Sequence, residues 1–169
     1  MRWVRFGILV LVFLVLQIGV GSALEFSHLK IVPDLLLLLA ILLIFWAPAD
    51  QALVACWLLG LLKDITSQAP LGSYSFAFGL LGLMLIRLRE LLVGSRLLPQ
   101  IFLMLVSSML IEHAVWLVCV VKSDVALDSY RQSLTTMAVS ALLTAALYPY
   151  GYWLMTKLHR RLGLSRRLK

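Results

Sequence analysis

The chain has 169 residues, of which 62% are hydrophobic and 14% charged, with a mean hydropathy of +0.99. A soluble domain is about 45–50% apolar and about 25% charged, so too little polar surface exists here to cover a water-soluble globule. That excludes a secreted disulfide scaffold, a disordered chain and an ordinary cytosolic enzyme. The net charge of +7 comes from 15 Lys+Arg against 8 Asp+Glu. It gathers at the ends of helix-length apolar blocks, where it fixes topology rather than marking a nucleic-acid surface. The expected class is all-α: a polytopic bundle of six transmembrane helices, one integral membrane domain over residues 1–169.

The first span is expected over residues 6–24, behind Arg2 and Arg5. Its helix of about 28 Å is enough to cross the hydrocarbon layer. The stretch is longer than the apolar core of a secretory signal and no soluble domain follows it, so it reads as uncleaved. Residues 25–30 form a polar loop. The second span, 31–47, carries Pro33 in its first turn, where the missing N–H is harmless, and Asp34 at the positive end of the helix dipole. Pro48, Ala49 and Asp50 make a tight turn. Residues 51–62 supply only about 18 Å of helix; this short segment either leans on protein or re-enters. A polar stretch over 63–73 follows, and Pro70-Leu71-Gly72 reads as the turn that launches the fourth span, 71–86. That span ends at Arg87, Arg89 and Glu90, and an amphipathic connector covers 91–98. Spans over 100–121 and 134–156 flank a polar loop with Asp124, Asp128 and Arg131. Residues 157–169 are a basic tail suited to anionic lipid.

Six spans put both ends on one side of the membrane. With those ends in the cytoplasm, eleven Lys+Arg fall inside (Arg2, Arg5, Arg87, Arg89, Arg96 and six in the tail) and four outside (Lys30, Lys63, Lys122, Arg131). That is the asymmetry of the positive-inside rule. A re-entrant hairpin over 35–62 leaves the parity unchanged. Cys56 and Cys119 sit in apolar blocks with no metal or redox spacing and read as packing residues.

Helices associate in lipid through small residues that permit close approach. Gly72, Gly79 and Gly82 with Ser75 supply such a face in the fourth span, Gly19 and Ala23 in the first, and Ser140, Ala141, Thr144 and Ala145 in the last. These faces suit either packing within the bundle or a foreign transmembrane helix. Glu112 is the one acid well inside a span, where a charge is costly unless paired or hydrated. Ser108 and Trp116 share its helix face, whereas His113 points about 100° away. The Glu112 carboxyl either locks the bundle against a neighbouring helix or lines a polar cavity. Asp64, beside Lys63, is either a satisfied carboxylate at a helix end or an anchor for the stretch over 63–73. Catalytic templates fit poorly: there is no intramembrane Asp pair, no facing Ser–His arrangement, no P-loop, HExxH or GxSxG, and no acid cluster for a metal-bound phosphate. Neither a catalytic residue nor a cofactor nor a metal is expected.

Three short runs carry a resemblance: Val32-Pro33-Asp34-Leu35-Leu36, Gly60-Leu61-Leu62-Lys63-Asp64 and Pro70-Leu71-Gly72-Ser73-Tyr74. Together they resemble the rod shape-determining protein MreD family, most strongly over residues 31–90, with the outer thirds similar in length and hydropathy. The resemblance implies a six-helix fold like the substrate-binding subunits of ECF-type vitamin transporters. It also implies a non-enzymatic component of the bacterial inner membrane, with both termini cytoplasmic, in the complex that elongates rod-shaped cells and helps control lateral peptidoglycan synthesis. The implied partners are MreC, a bitopic coiled-coil protein whose transmembrane helix would lie on the small-residue faces, the MreB filament, the glycan polymerase–transpeptidase pair and membrane lipids, with no nucleic acid. Pro33, Asp34, Gly60, Asp64, Leu71 and Gly72 are the family-like positions that shape the bundle. Gly79 and Ala145 are candidate partner-facing positions, and Glu112 is a buried polar candidate. The alternative reading is a vitamin-like ligand-binding subunit of a membrane transporter, built on a polar cavity around Glu112. A lipid-modifying enzyme is disfavoured by the missing acid cluster.

Overall fold

The segment LLLLLAILLIFW has no polar face, and a helix apolar all round has to be wrapped on every side. In the computed structural model, which describes residues 3–25, 32–67, 69–92, 97–123 and 130–162, that segment is the central helix. Among the described residues there are six helices and no strand: α1 Trp3–Glu25, α2 Leu35–Trp46, α3 Ala49–Thr66, α4 Ser73–Leu92, α5 Leu97–Ser123 and α6 Tyr130–Leu162. Each of the other five helices touches α2. Residues 36–45 are all buried, none more than 7% exposed. Asp34 starts the helix by accepting a hydrogen bond from the Leu37 N–H at 3.1 Å, the N-cap role of a short acidic side chain. Ala47 ends it in an extended conformation, as suits a residue that precedes proline.

The apolar surface points outward. Ile8 and Leu11 on α1, Phe76 and Leu80 on α4, Phe102 and Leu110 on α5, and Leu142 and Trp153 on α6 are all exposed. Polar groups lie inside instead: Asp34, Lys63, Asp64, Ser75, Ser107, Ser108, Ser140 and Thr144 are buried. This inside-out distribution suits a surface that meets hydrocarbon. By length and composition, one helix among the described residues is long and apolar enough to cross a membrane, Leu98–Lys122. Phe6–Gly19 and Leu35–Trp46 are shorter apolar helices.

The helix lengths differ from the sequence expectation in one instructive way. The short helix is α2, with 12 residues, while α3 has 18 and runs on through Lys63 and Asp64 to Thr66. Residues 63–66, expected in a polar loop, are helical because both charged side chains find partners inside the bundle. The turn that follows is tight. Ser73 donates its backbone N–H and its hydroxyl to the Pro70 carbonyl at 3.1 and 2.7 Å. Gly72 has φ +94°, which a type II turn requires at this position and which only glycine adopts at little cost.

Candidate functional site

Four helices bring charged groups together at the end of the bundle where α2 begins, α3 ends and α4 begins. Lys63 on α3 reaches the Asp34 carboxylate in a close ion pair. The same ammonium lies 3.4 Å from Glu112 Oε1 on α5 and 4.5 Å from the centre of the Tyr74 ring on α4. The side chains of Lys63, Asp34 and Glu112 are 11%, 3% and 22% exposed. One ammonium therefore serves two carboxylates, and the Tyr74 ring face adds a cation–π contact.

Each member is held by its neighbours. Asp34 caps α2 with Oδ1 and pairs with Lys63 through Oδ2. Its backbone N–H donates to Thr144 Oγ1 on α6 at 2.9 Å. The Ser140 hydroxyl, one turn earlier on α6, donates to the Val32 carbonyl at 2.6 Å. On the α1 side, Gln17 Oε1 accepts the Leu35 N–H at 2.7 Å. The backbone groups ahead of α2, which have no intrahelical partners, are thus satisfied by side chains of two other helices.

Asp64 does different work. Its two carboxylate oxygens accept the N–H groups of Tyr74 and Ser75, each at 2.9 Å, so the end of α3 caps the start of α4. A carboxylate at that position also meets the positive end of the α4 dipole. The two helices cross closely enough for this because residue 60 is glycine. A Cβ there would lie 2.7 Å from Ser75 Cα and 2.8 Å from the Tyr74 carbonyl oxygen.

The other positions singled out by the sequence scatter. Pro33 is buried just ahead of Asp34, and Leu71 is 79% exposed on the turn before α4. A Cβ at Gly79 would meet Trp57 Cδ1 at 2.7 Å, and one at Gly82 would meet Cys56 Cβ at 3.3 Å. The glycine face of α4 is therefore covered by α3 of the same chain. Ala145 is buried at 4% exposure, whereas a Cβ at Gly19 meets open space. The side chain of Ala23, the residues of the loops around Lys30, Asp124 and Asp128, and the tail beyond 162 lie outside the described residues. Ser108 is 1% exposed, with its hydroxyl unpartnered among the described residues.

Sequence reasoning passed over three contributors. Lys63 reads in the sequence as a topology charge and as part of the Gly60–Asp64 run, although a lone mid-span acid calls for a counter-charge. Gln17 is inconspicuous inside the apolar stretch 6–24. Arg89, at the opposite end of the bundle, donates from Nη1 to the carbonyls of Ile44 and Ala47 at 2.9 and 2.8 Å. It thereby closes the C-terminus of α2, as Asp34 closes its N-terminus.

Chemically, the cluster can hold helices in register and present a carboxylate. Among the described residues no group of three His, Cys, Asp or Glu gathers as a metal-ligand set. An all-helical bundle with a greasy exterior and a charged knot inside is a membrane protein with a structural interior. The chain belongs to the MreD family: the family description, rod shape-determining protein MreD, matches residues 1–158. It is accordingly a rod-shape-determining membrane protein, and the family is a structural one rather than a known enzyme family. Neither a curated protein nor a solved structure matches the chain.

Proposed function

We propose that the chain is a multi-pass, non-catalytic component of the bacterial inner membrane, with both termini cytoplasmic, that docks the single transmembrane helix of MreC. In this way it helps to control lateral peptidoglycan synthesis beside the MreB filament and the glycan polymerase–transpeptidase pair. Family membership over residues 1–158 supports a place in the rod-shape complex. The observation that carries the docking reading is an apolar groove of about 410 Å³ between α3 and α4, lined by residues that include Trp57, Phe76, Leu80 and Leu83. Gly79 lies under Trp57 at its base, so a partner helix would pack on the exposed side chains of Trp57, Phe76, Leu80 and Leu83 rather than on the glycine. Ala145 takes no part in this surface, because it is enclosed by the bundle.

Substituting Leu80→Trp and Leu83→Trp fills the groove from exposed positions (53% and 52%). The bundle should stay folded and MreC should no longer co-purify. Leu142→Trp, at an exposed position of α6, should leave the complex intact. Retention of MreC by the groove variants would remove the groove from the account. The transporter-subunit reading is supported by the six helices among the described residues and by the polar surroundings of Glu112.

A further inference from the structure

The outer side of α6 changes character along its length. Leu143 and Ala146 come first, Tyr150 and Trp153 next, and Lys157 last, and all five are exposed. Spaced alternately three and four residues apart, they form one stripe about 21 Å long. A groove of about 490 Å³ opens on this stripe, lined by Pro149, Tyr150 and Trp153.

Contacts with α2 set the level of Lys157. The Asp34 N–H bonds Thr144, and a Cβ at Gly151 would meet Leu38 and Leu42 at 2.9 Å each. The two helices therefore run in the same direction, with Gly151 beside the middle of α2. Lys157 lies about 9 Å further along α6, and Trp46, the last residue of α2, lies about 9 Å beyond Ala40. Lys157 is thus level with the end of α2. Arg89 donates to the Ile44 and Ala47 carbonyls at that level, and Asp50 is exposed in the first turn of α3. Charged groups of three helices mark one edge of the apolar band there. The groove begins about 6 Å and ends about 12 Å inside that edge along α6, within the hydrocarbon depth of one monolayer, about 15 Å.

The Lys157 ammonium lies 3.8 Å from the centre of the Trp153 ring and pairs with no carboxylate among the described residues. The ring face holds the cation on the stripe and leaves N–H donors for an outside acceptor. The sequence adds Arg160 and Arg161 in the next turn, so the excess charge at this end of α6 is positive.

We propose that the Pro149–Tyr150–Trp153 groove and Lys157 form a binding site for one phospholipid of net negative charge, such as phosphatidylglycerol. An acyl chain lies in the groove, the two aromatic rings stand at the glycerol level, as such rings do at membrane interfaces, and the phosphodiester meets the Lys157 ammonium. A zwitterionic ethanolamine headgroup brings its own ammonium to the same phosphate and gains less from Lys157. A free phosphate ester has nothing to place in the groove. The site shares no residue with the α3–α4 groove, so the failure of either proposal leaves the other standing.

The test is native mass spectrometry of the full chain released from detergent micelles, titrated in turn with phosphatidylglycerol, phosphatidylethanolamine and glycerol 1-phosphate. One saturable phosphatidylglycerol adduct is expected, held about fivefold more tightly than phosphatidylethanolamine, and none with glycerol 1-phosphate. Lys157→Gln should weaken the adduct about fivefold. Arg87→Gln, which removes an exposed cation of α4, should leave it within about twofold. Trp153→Leu keeps the charge, removes the ring and should weaken the adduct about two- to fivefold; it decides the matter alone if Lys157→Gln fails to fold. Equal affinity for the two lipids, equal losses from Lys157→Gln and Arg87→Gln, a glycerol 1-phosphate adduct as tight as the lipid's, or unaltered affinity in both α6 variants would overturn the site.

Discussion

Replacing Lys63 by methionine keeps a long side chain and removes its charge, leaving two carboxylates without their counter-ion. Asp34, 3% exposed, cannot recover water and keeps only the Leu37 N–H. Glu112, 22% exposed, is partly rehydrated and contributes less. Removing one partner of a buried pair costs about 3–5 kcal/mol, and loss of the Tyr74 contact adds about 0.5–1 kcal/mol. The partial exposure of Glu112 brings the expected cost of Lys63→Met to about 3–4 kcal/mol. In the double variant Lys63→Met/Asp34→Asn, the amide oxygen still caps α2 while the more deeply buried of the two stranded charges is gone, leaving the partly exposed Glu112. Most of the loss should return, with a coupling energy of roughly 2–3 kcal/mol. Helicity followed against SDS mole fraction in mixed micelles gives all four corners of this cycle. A Lys63→Met variant within about 0.5 kcal/mol of the parent, the scatter expected for an ordinary surface change, would refute the reasoning. So would strictly additive single effects.

Three further outcomes are expected in the same assay. Asp64→Ala strands the buried N–H groups of Tyr74 and Ser75 and should cost about 2–4 kcal/mol, with Asp64→Asn recovering roughly half through its remaining oxygen. Gly60→Ala places a Cβ against the α4 backbone and should cost about 1–3 kcal/mol; cysteine crosslinking between α3 and α4 would report the wider separation. Arg89→Ala frees the Ile44 and Ala47 carbonyls and should cost about 2 kcal/mol, with faster amide exchange confined to the last turn of α2 and the α2–α3 junction.

What the sequence disclosed followed from strong local signals. The leucine run of α2 and the Pro70–Gly72 turn each have one physical reading, and the structure carries both; Pro48 does end α2, but Ala49 and Asp50, expected to complete a turn, open α3 instead. Asp34, Asp64 and Glu112 stood out because an acid in an apolar chain is costly unless satisfied. Their partners were harder to see. Lys63 closes a stretch that looks merely like the polar end of a short span; only the long-range approach of α2 and α5 shows that it is the shared counter-ion. The spacing of Gly60, Lys63 and Asp64 at i, i+3 and i+4 was a usable clue, since it places all three on one helix face. Ser140 and Thr144 read as small contact residues, yet their hydroxyls bond the backbone at the start of α2, a use that composition does not announce. Gly79 and Gly82 read as an open face and are covered by Trp57 and Cys56, because intramolecular and intermolecular packing use the same small residues.

The docking claim is tested most directly by photocrosslinking in native membranes, with the photoreactive group placed in turn at Leu80, Leu83 and Leu142. Adducts with the transmembrane helix of MreC are expected from Leu80 and Leu83 and not from Leu142. Adducts from Leu142 alone, or from none of the three positions, would contradict the assignment of the α3–α4 groove as the partner's seat.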